Sequence, residues 1–398
     1  MSFYNLSIAP KLIQTLESLR FKTATPIQQK AIPPAISGED IIGIAQTGTG
    51  KTIAFAVPII QHLAQNQNRA LVLVPTRELA LQVEESIRPF ARAFHLRTIA
   101  LIGGESIYNQ IRGLAQKPRI IIATPGRLID LLEQRKIRLN DVSILVLDEA
   151  DRMLDMGFAP QIEVILKVVP KVRQTMLFSA TMPPAIVKMA SAHMKIPVHV
   201  EIAPAGTAAE GVTHELFIVQ EEMKKELLVK VLAQYRGSVL LFCRTKRGVE
   251  RLARHLKQLN HRSAEIHSNR SLGQRREALQ GFKSGKYRIL VATDIAARGI
   301  DVRNIELVIN YDLPDEVENY VHRIGRTGRA GSSGHAISFA RPDQHSDVRS
   351  IEKLIRITFP ISRHPDLPAI EFQKPQRVFS FNRFNQRRKQ AVGRRRGR

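Results

Sequence analysis

Short apolar runs alternate with longer amphipathic stretches along most of the chain. Within residues 40–180, six of these runs predict strands: DIIGIA, ALVLVP, RTIALI, RIIIAT, SILVLD and TMLFSA. Each run is followed by a loop and then by a stretch with helical spacing. Hydrophobicity within the runs is continuous rather than alternating, which is typical of parallel strands covered on both faces. The pattern therefore predicts an α/β fold with a doubly wound parallel sheet.

The pattern stops once and then begins again. After the run IPVHVEI, residues 203–212 consist mainly of small residues without an apolar core, and they predict a linker. Six further strand-like runs follow, HELFIVQ, SVLLFCR, SAEIHS, YRILVATD, IELVINYD and GHAISFA, and the pattern ends near residue 362. The sequence thus predicts an N-terminal domain at 1–202 and a similarly built C-terminal domain at 213–362. A length of 398 residues also favours two domains.

Charge adds a class of partner to this architecture. The formal net charge is +24, with a pI near 10.6, which favours a polyanion such as nucleic acid; a solvated basic surface is the alternative. Residues 374–398 contain ten Lys or Arg and no acidic residue, interleaved with three Phe. The segment 363–398 is therefore expected to be a disordered basic tail.

Several classes of protein are disfavoured. No apolar run approaches the ~18 residues that a membrane helix needs, and the N-terminus lacks the features of a signal peptide. Its residues Leu12, Ile13, Leu16 and Leu19 have the spacing of an amphipathic helix instead. The single cysteine, Cys243, excludes an internal disulfide and is expected to be inert core. A soluble cytoplasmic protein without membrane contact is the expectation.

The stretch AQTGTGKT follows a predicted strand and opens a helical run, which is the context of a phosphate-binding loop. Backbone N–H groups of small residues converge on phosphates there, Lys51 can reach the terminal phosphates, and Thr52 can ligate Mg²⁺. Ala45 stands where the general pattern has Gly, which requires that its φ is not positive. A chance GKT after glycines is the alternative. The candidate ATP-binding residues in this loop are Ala45, Gln46, Thr47, Gly48, Thr49, Gly50, Lys51 and Thr52.

A second motif, which is acidic, lies about a hundred residues further on, where the apolar run ILVL leads directly into DEAD. Asp148 at the end of a buried strand fits a residue that holds the Mg²⁺ bound to nucleotide phosphates. Glu149 is placed to orient and deprotonate an attacking water. A solvated acidic turn is the alternative interpretation.

Together with AQTGTGKT, DEAD resembles the DEAD-box RNA helicases of superfamily 2, and the resemblance extends over nearly all of residues 1–340. The other matching motifs occur in the family's order: FKTATPIQ, PTRELA, GG, TPGR, SAT, LLFCRT, VATDIAARGID and HRIGRTGR. The resemblance implies two tandem RecA-like domains. Within the family, the tail and the phrase TPIQQKAIP most resemble the bacterial RhlE-type branch.

The resemblance also implies roles for residues around the nucleotide. Gln28 can pair with the adenine edge and Phe21 offers an apolar surface beside it, whereas Asp301 would contact the ribose. Arg326 and Arg329 would reach the γ-phosphate from the second domain as arginine fingers. The implied catalytic residues are Lys51, Asp148, Glu149, Arg326 and Arg329.

Contacts to RNA and the link between the two activities are implied in the same way. The candidate RNA-binding residues are Thr76, Arg77, Gly104, Thr124, Gly126, Arg127, Arg244, Arg275 and Thr293. Ser179, Thr181 and His322 would couple ATP hydrolysis to strand separation. Hydroxyl, guanidinium and backbone donors of this kind suit a phosphate backbone.

Departures from the family pattern concern five positions. Arg20 replaces the usual Gly before the Q motif, FKTATPIQ, and Ala24 replaces a usual Pro; both are positions that shape the backbone of that loop. In HSNRSLGQR, the residues Ser268, Asn269 and Leu272 differ from the family pattern. Leu272 cannot donate a hydrogen bond at a position where the family often has Gln.

The function expected from the sequence is an RNA-stimulated ATPase that unwinds RNA duplexes locally or remodels RNA–protein complexes, with ATP and Mg²⁺ as cofactors. An ATP-gated RNA clamp or annealing chaperone with slow turnover is one alternative, and a DNA helicase is another. RNA is the expected partner through sequence-independent backbone contacts. Ribosomal precursors or a degradation assembly are further partners to consider, and a monomer is expected.

Overall fold

A computed structural model describes residues 2–45, 48–202, 211–297, 305–328 and 334–373. In the first half, the strands are β1 (Ile41–Ile44), β2 (Arg69–Leu73), β3 (Thr98–Leu101), β4 (Ile120–Ala123), β5 (Val142–Asp148), β6 (Gln174–Ser179) and β7 (Val198–Glu201). The helices are α1 (Pro10–Ser18), α2 (Pro26–Ile36), α3 (Lys51–Leu63), α4 (Arg77–Ala93), α5 (Ile107–Leu114), α6 (Pro125–Glu133), α7 (Ala150–Asp155), α8 (Ala159–Val168) and α9 (Pro184–His193).

The second half repeats this construction. Its strands are β8 (Val212–Ile218), β9 (Val239–Phe242), β10 (Ser263–Ile266), β11 (Ile289–Ala292), β12 (Leu307–Asn310), β13 (Gly334–Ala340) and β14 (Ile361–Ser362). Its helices are α10 (Lys224–Gln234), α11 (Lys246–Gln258), α12 (Leu272–Lys283), α13 (Asp294–Ala297), α14 (Val317–Ile324) and α15 (His345–Ile355). Short 3₁₀ turns occupy Phe3–Asn5 and Glu221–Met223.

Each half forms one parallel sheet. The orders are β3-β4-β2-β5-β6-β1-β7 and β10-β11-β9-β12-β13-β8-β14. Counted from the first strand of each sheet, these two orders are identical, which agrees with two copies of one architecture. The prediction of two doubly wound parallel sheets is confirmed.

Successive side chains of the central strands enter opposite layers of the core, as continuous hydrophobicity predicts. In β2, Ala70 and Val72 pack into one apolar cluster, whereas Leu71 and Leu73 pack into the other. All four are fully buried. Because both faces are covered, polar residues are left to the strand ends, and the loops beyond those ends carry the chemistry.

The N-terminal helix ends earlier than the apolar spacing predicts. Leu12, Ile13 and Leu16 are buried in α1, but the helix stops at Ser18 and Leu19 is exposed. The next residue, Arg20, has φ of +63° and turns the chain into the Q motif. A left-handed conformation suits the Gly that the family has there, and in Arg it costs about 1–2 kcal/mol.

Three details of the second half differ from the prediction. Strand β8 begins at Val212, the last residue assigned to the linker, and residues 203–210 lie outside the described part. The edge strand β14 was not predicted, since two residues are too few to give a pattern. The N-terminal part of the predicted tail, residues 363–373, packs on the second domain instead.

That packing has identifiable anchors. Leu367 lies against the core cluster beneath α10, and Phe372 lies against the cluster beneath α15. Lys230 Nζ donates to Asp366 Oδ2 over 2.7 Å. Two apolar side chains five positions apart match neither the helical nor the strand period, so they gave no sequence signal but suffice to attach the segment. The rest of the predicted tail, residues 374–398, lies outside the described residues.

Candidate nucleotide and RNA site

The phosphate-binding loop connects β1 to α3. Gly48 and Gly50 have φ of +87° and +97°, so this turn uses the conformational freedom of glycine. Ala45 does not have positive φ, and its N–H donates to Ser179 O over 3.0 Å. Lys51, the first residue of α3, is buried and donates from Nζ to Ala45 O over 2.8 Å. A lysine whose hydrogen bond goes to a neutral carbonyl can exchange that partner for a phosphate.

The other residues of the loop are Gln46, Thr47, Thr49 and Thr52. Thr52 is the second residue of α3 and is half-buried beside the buried lysine. Thr49 lies within the described turn. Gln46 and Thr47 lie outside the described residues.

The Q motif reaches this loop through Gln28. Its Oε1 accepts from Thr25 N over 2.9 Å, and its Nε2 donates to Gly50 O over 3.0 Å. A Cβ at Gly50 would lie 2.4 Å from Gln28 Nε2, so the glycine is required for this approach. Phe21 is half-buried, with its ring 6.3 Å from that of Phe90.

The acidic motif follows β5. Asp148, the last residue of that strand, is buried, and its Oδ1 accepts from Glu149 N over 3.0 Å. Glu149 is also buried and has φ of +53°, an uncommon conformation for a non-glycine residue that is found at functional sites. Its carboxylate forms an ion pair with Arg152, one turn further along α7.

The two carboxylates have opposite pKa shifts. Burial raises the pKa of Asp148 to about 7, an effect that Lys51 opposes and Glu149 reinforces. Burial also disfavours ionised Glu149, but Arg152, Lys51 and Arg326 outweigh it and lower the pKa of that group. Glu149 is therefore the member of the pair that stays ionised most readily.

The last acid of the motif, Asp151, is a hydrogen-bond acceptor for SAT. Its Oδ2 accepts from Thr181 N over 2.8 Å and from Thr181 Oγ1 over 2.9 Å, while its own N–H donates to Ser179 Oγ over 3.2 Å. His322 of the second domain has Nε2 4.0 Å from Asp151 Oδ2. Burial lowers the pKa of His322 to about 4, although Asp151 opposes the shift, so the imidazole is neutral at pH 7.

The second domain also brings a buried cation to this site. Arg326 follows α14, is 2% exposed and donates from Nε to His322 O over 3.3 Å. Its positive charge contributes to the lowered pKa of Glu149. The sequence-predicted residues Arg329 and Asp301 lie outside the described residues.

Three arginines from both domains form a second cluster. The guanidinium of Arg77 lies over the GG motif, where a Cβ on Gly104 would be 2.0 Å from Arg77 Nη1. Arg127 donates from both terminal nitrogens to Glu105 O over 3.3 Å. Burial, together with the charges of Arg275 and Arg127, lowers the pKa of Arg77. Such a concentration of positive charge suits a polyanion.

Two ion pairs cross between the domains at this cluster. Arg275 pairs with Glu78, and both side chains are largely buried. Arg276 pairs with Glu105, at a more exposed position. Leu272 at the start of α12 packs into the core cluster of the first domain, so the departure from the family pattern there is used as an apolar contact.

The other predicted RNA-contacting residues lie at the ends of strands or the beginnings of helices. Thr76 and Thr124 are N-cap residues of α4 and α6, and an ideal Cβ at Gly126 would meet no atom within 4 Å. Arg244 follows β9 and pairs with Asp315 over 3.1 Å. Thr293 follows β11 and donates its N–H to Ile266 O over 3.4 Å.

Sequence reasoning missed three partners in the site. Arg152 had a detectable signal, since it follows Glu149 by one helical turn. Asp151 was noted only as part of the acidic motif, and its bonds to SAT depend on β5 and β6 being neighbours. Glu78 gave no signal, because its partner Arg275 is 197 positions away.

The described ranges contain no group of three or more His, Cys, Asp or Glu side chains that could hold a metal. Cys243 is buried in the core, as predicted, and burial raises the pKa of its thiol. No described helix combines the length and the apolar character needed to span a bilayer.

Comparison with known families gives matches in both domains. Residues 25–189 match the DEAD/DEAH box helicase family, and residues 223–331 match the helicase conserved C-terminal domain. The chain is 41% identical to the ATP-dependent RNA helicase DbpA of Bacillus subtilis over 383 residues, which cover 96% of this chain and 80% of that protein. It is 43% identical to the ATP-dependent RNA helicase CshA of Listeria monocytogenes, over 88% and 68% of the two chains.

Solved structures agree with this assignment. The structure of S. cerevisiae Dbp5 bound to RNA and ADP BeF3 superposes with a TM-score of 0.82 at 28% identity, covering 91% of this chain and 95% of that one. A DEAD box protein from Methanococcus jannaschii gives 0.54 at 36% identity, with 91% and 99% coverage. With these relatives and the motif geometry, the chain belongs to the DEAD-box family of ATP-dependent RNA helicases.

Proposed function

We propose that one ATP site is completed only when the two domains meet, and that RNA binding favours this meeting. The observation that carries the proposal is the position of His322 and Arg326 beside Asp151 and Glu149. Neither domain alone holds both the acidic motif and these two side chains. Productive hydrolysis then requires closure, which gives an RNA-stimulated ATPase.

Within that site, Lys51 would hold the terminal phosphates and Glu149 would accept a proton from the attacking water. Arg326, with Arg329, would stabilise negative charge that develops on the γ-phosphoryl group. The ion pair with Arg152 would keep the Glu149 carboxylate ionised and limit its motion.

Asp148 and Thr52 fit the requirements of a Mg²⁺ site. Carboxylate and hydroxyl oxygens are the hard donors that Mg²⁺ prefers, and the ion commonly uses one or two carboxylates together with substrate phosphates. When bound, the ion neutralises charge on the phosphates. The raised pKa of Asp148 fits a buried carboxylate whose ionised form needs a nearby cation.

The Q motif would recognise the adenine base of ATP. Gln28 already bonds Gly50, so a contact from its amide to adenine would link base recognition to the phosphate-binding loop. Phe21 would provide apolar surface beside the base, and Asp301 would contact the ribose.

The arginine cluster would bind the RNA backbone. Arg77, Arg127 and Arg275 converge from both domains. The other proposed contacts follow strands β2, β4, β9 and β11: Thr76, Thr124, Arg244 and Thr293. Similarity to Dbp5 in its RNA-bound form, at a TM-score of 0.82, supports a closed arrangement with RNA in this position. Closure would distort one strand and displace its partner locally. Hydrolysis would release that strand through the contacts of Asp151 with Thr181 and His322.

The test is ATP turnover with different polynucleotides. We expect RNA to raise the rate and DNA of the same sequence to raise it far less, because the motifs of this chain match a family of RNA helicases. Unwinding of an RNA duplex should need ATP. Intact turnover without stimulation by any RNA contradicts the proposal, stimulation without unwinding indicates an RNA clamp or annealing chaperone, and preferential stimulation by DNA indicates a DNA helicase.

The C-terminal basic segment is proposed to tether RNA without sequence preference. Truncation after Gln373 keeps the anchored residues 363–373 and removes ten positive charges. We expect weaker RNA binding with a shallower salt dependence, while ATP turnover without RNA is unchanged. Binding isotherms at several salt concentrations measure this, and equal slopes for both chains would rule out the tether.

Further aspects of the proposal follow the sequence resemblance. The tail and the phrase TPIQQKAIP support an RhlE-type member of the family. We also propose that the protein is a cytoplasmic monomer. Ribosomal precursors and a degradation assembly are the partners to examine first. Crosslinking in cells, followed by sequencing of the bound RNA, identifies the natural target.

A further inference from the structure

Helix α11 exposes a row of arginines that no step of the ATPase uses. Its thirteen residues contain five Lys or Arg and one acidic residue. Arg247, Arg251 and Arg254 are exposed and follow one another at intervals of four and three residues, so they share one face, and we call them the α11 basic face. Their Cα atoms are separated by about 6 and 4.5 Å along the helix axis.

The charge of this face is not neutralised by neighbours. Among the described residues, no carboxylate lies within 4.0 Å of these three guanidinium groups, whereas other exposed cations of the domain do have such partners, for example Lys286 with Glu277 and Arg244 with Asp315. Glu250, the acidic residue of α11, instead has its carboxylate 3.7 Å from the buried His267.

Packing does not require these arginines either. The opposite face of α11 is formed by Val249, Leu252, Ala253 and Leu256, which are buried in the core of the second domain. Three exposed, like-charged side chains along one helix repel one another, so they lower the stability of the isolated helix slightly. An external polyanion removes that repulsion.

The position of α11 indicates which polyanion. The helix begins at the end of β9, immediately after Arg244, one of the proposed RNA contacts, and Thr245 caps it by accepting from Gly248 N over 3.0 Å. The first arginine of the basic face, Arg247, follows Arg244 by three residues, so the face begins beside a proposed RNA contact.

We propose that the α11 basic face binds the phosphate backbone of RNA that continues beyond the strand held in the cleft. The inference rests on the proposed RNA-stimulated ATPase and extends it to a second contact region. It makes binding depend on RNA length and on salt, without a preference for sequence.

The test compares R251Q/R254Q with R349Q/K353Q in the full chain. The second pair removes two exposed positive charges from α15 of the same domain, so both variants have the same net charge. Three RNAs are used: the shortest single strand that fully stimulates ATP turnover, the same strand with a single-stranded extension, and the same strand with a hairpin extension.

For an extended RNA, R251Q/R254Q should reduce the slope of log affinity against log salt by about 1.5, which reduces the affinity lost between about 50 and about 200 mM salt by about tenfold. Turnover with the shortest RNA should be unchanged in both variants. The extension that loses affinity identifies single-stranded or duplex RNA as the ligand of the face.

Equal slopes for the parent and R251Q/R254Q on both extended RNAs would overturn the inference, and would leave an acidic protein partner as the alternative. An equal loss in R349Q/K353Q would overturn it too, as an effect of net charge. Loss of stimulation by the shortest RNA in R251Q/R254Q would show that the face is not separate from the cleft. If the parent itself shows no stimulation by RNA, the proposed function fails instead.

Discussion

Replacing Glu149 by Gln is expected to lower ATP turnover at saturating RNA by about 10²–10⁴-fold, the usual contribution of a general base. Gln has nearly the same shape but cannot accept the proton of the attacking water. The carboxylate is well suited to that role, because it is buried and surrounding cations lower its pKa. Single-turnover measurements of phosphate release give the rate of the chemical step directly.

Binding should survive this substitution. Asp148 and Lys51 are unchanged, so the affinities for ATP and RNA are expected to stay within about twofold, and RNA should dissociate more slowly in the presence of ATP because hydrolysis no longer opens the cleft. Glu163→Gln on the exposed surface of α8 is the matched control and should behave like the parent. Turnover of Glu149→Gln above a tenth of the parent rate would exclude Glu149 as the base.

Replacing Arg326 by Ala is expected to lower turnover by about 10³–10⁵-fold, the range measured for arginine fingers. The guanidinium comes from the second domain, is buried, and acts electrostatically on Glu149. Loss of this charge should act mainly on the transition state, so kcat should fall much more than the affinity for ATP. Arg326→Lys keeps a charge without the planar fork and should recover only part of the rate.

Arg323, in the same motif, is a control, because its replacement should lower the stability of the fold and should not act mainly on the transition state. It is 1% exposed and pairs with Asp294, donates to Asn310 Oδ1 over 3.1 Å and stacks on the ring of Phe242. Arg323→Ala leaves a largely buried carboxylate without its partner, which should cost about 3–5 kcal/mol of unfolding free energy. If Arg326→Ala destabilises the protein as much as Arg323→Ala and its residual rate is near that of the parent, Arg326 is structural and not a finger.

The strands could be predicted because each carries its own signal. Ile120, Ile121 and Ile122 in succession are typical of a strand buried on both faces, and no information from elsewhere in the chain is needed. The same holds for the chemistry: Lys51 after glycines and Asp148 after an apolar run are local patterns. Their meeting at one sheet edge follows from the rule that parallel strands share their carboxyl ends.

Contacts across the domains could not be predicted from local patterns. The pairing of Glu78 with Arg275 depends on how two sheets approach each other, and the motif that marks Arg275 as an RNA contact gives no indication of this partner. Residues 363–373 were missed for a related reason, because Leu367 and Phe372 have meaning only against a surface that the earlier chain builds. The backbone conformation of Arg20 could not be predicted from the residue type, because Arg rarely adopts positive φ and the surrounding turn imposes it here.

The arginine cluster at the RNA site has a consequence for the resting enzyme. Arg77, Arg127 and Arg275 repel one another when the two lobes come together, and the pairing of Arg275 with Glu78 offsets only part of that repulsion. A polynucleotide supplies the missing counter-charge. Without a bound polynucleotide, the two domains should separate and leave the water-activating carboxylate far from its guanidinium partner. The protein would then hydrolyse little ATP in the absence of RNA, and no dedicated inhibitor would be needed.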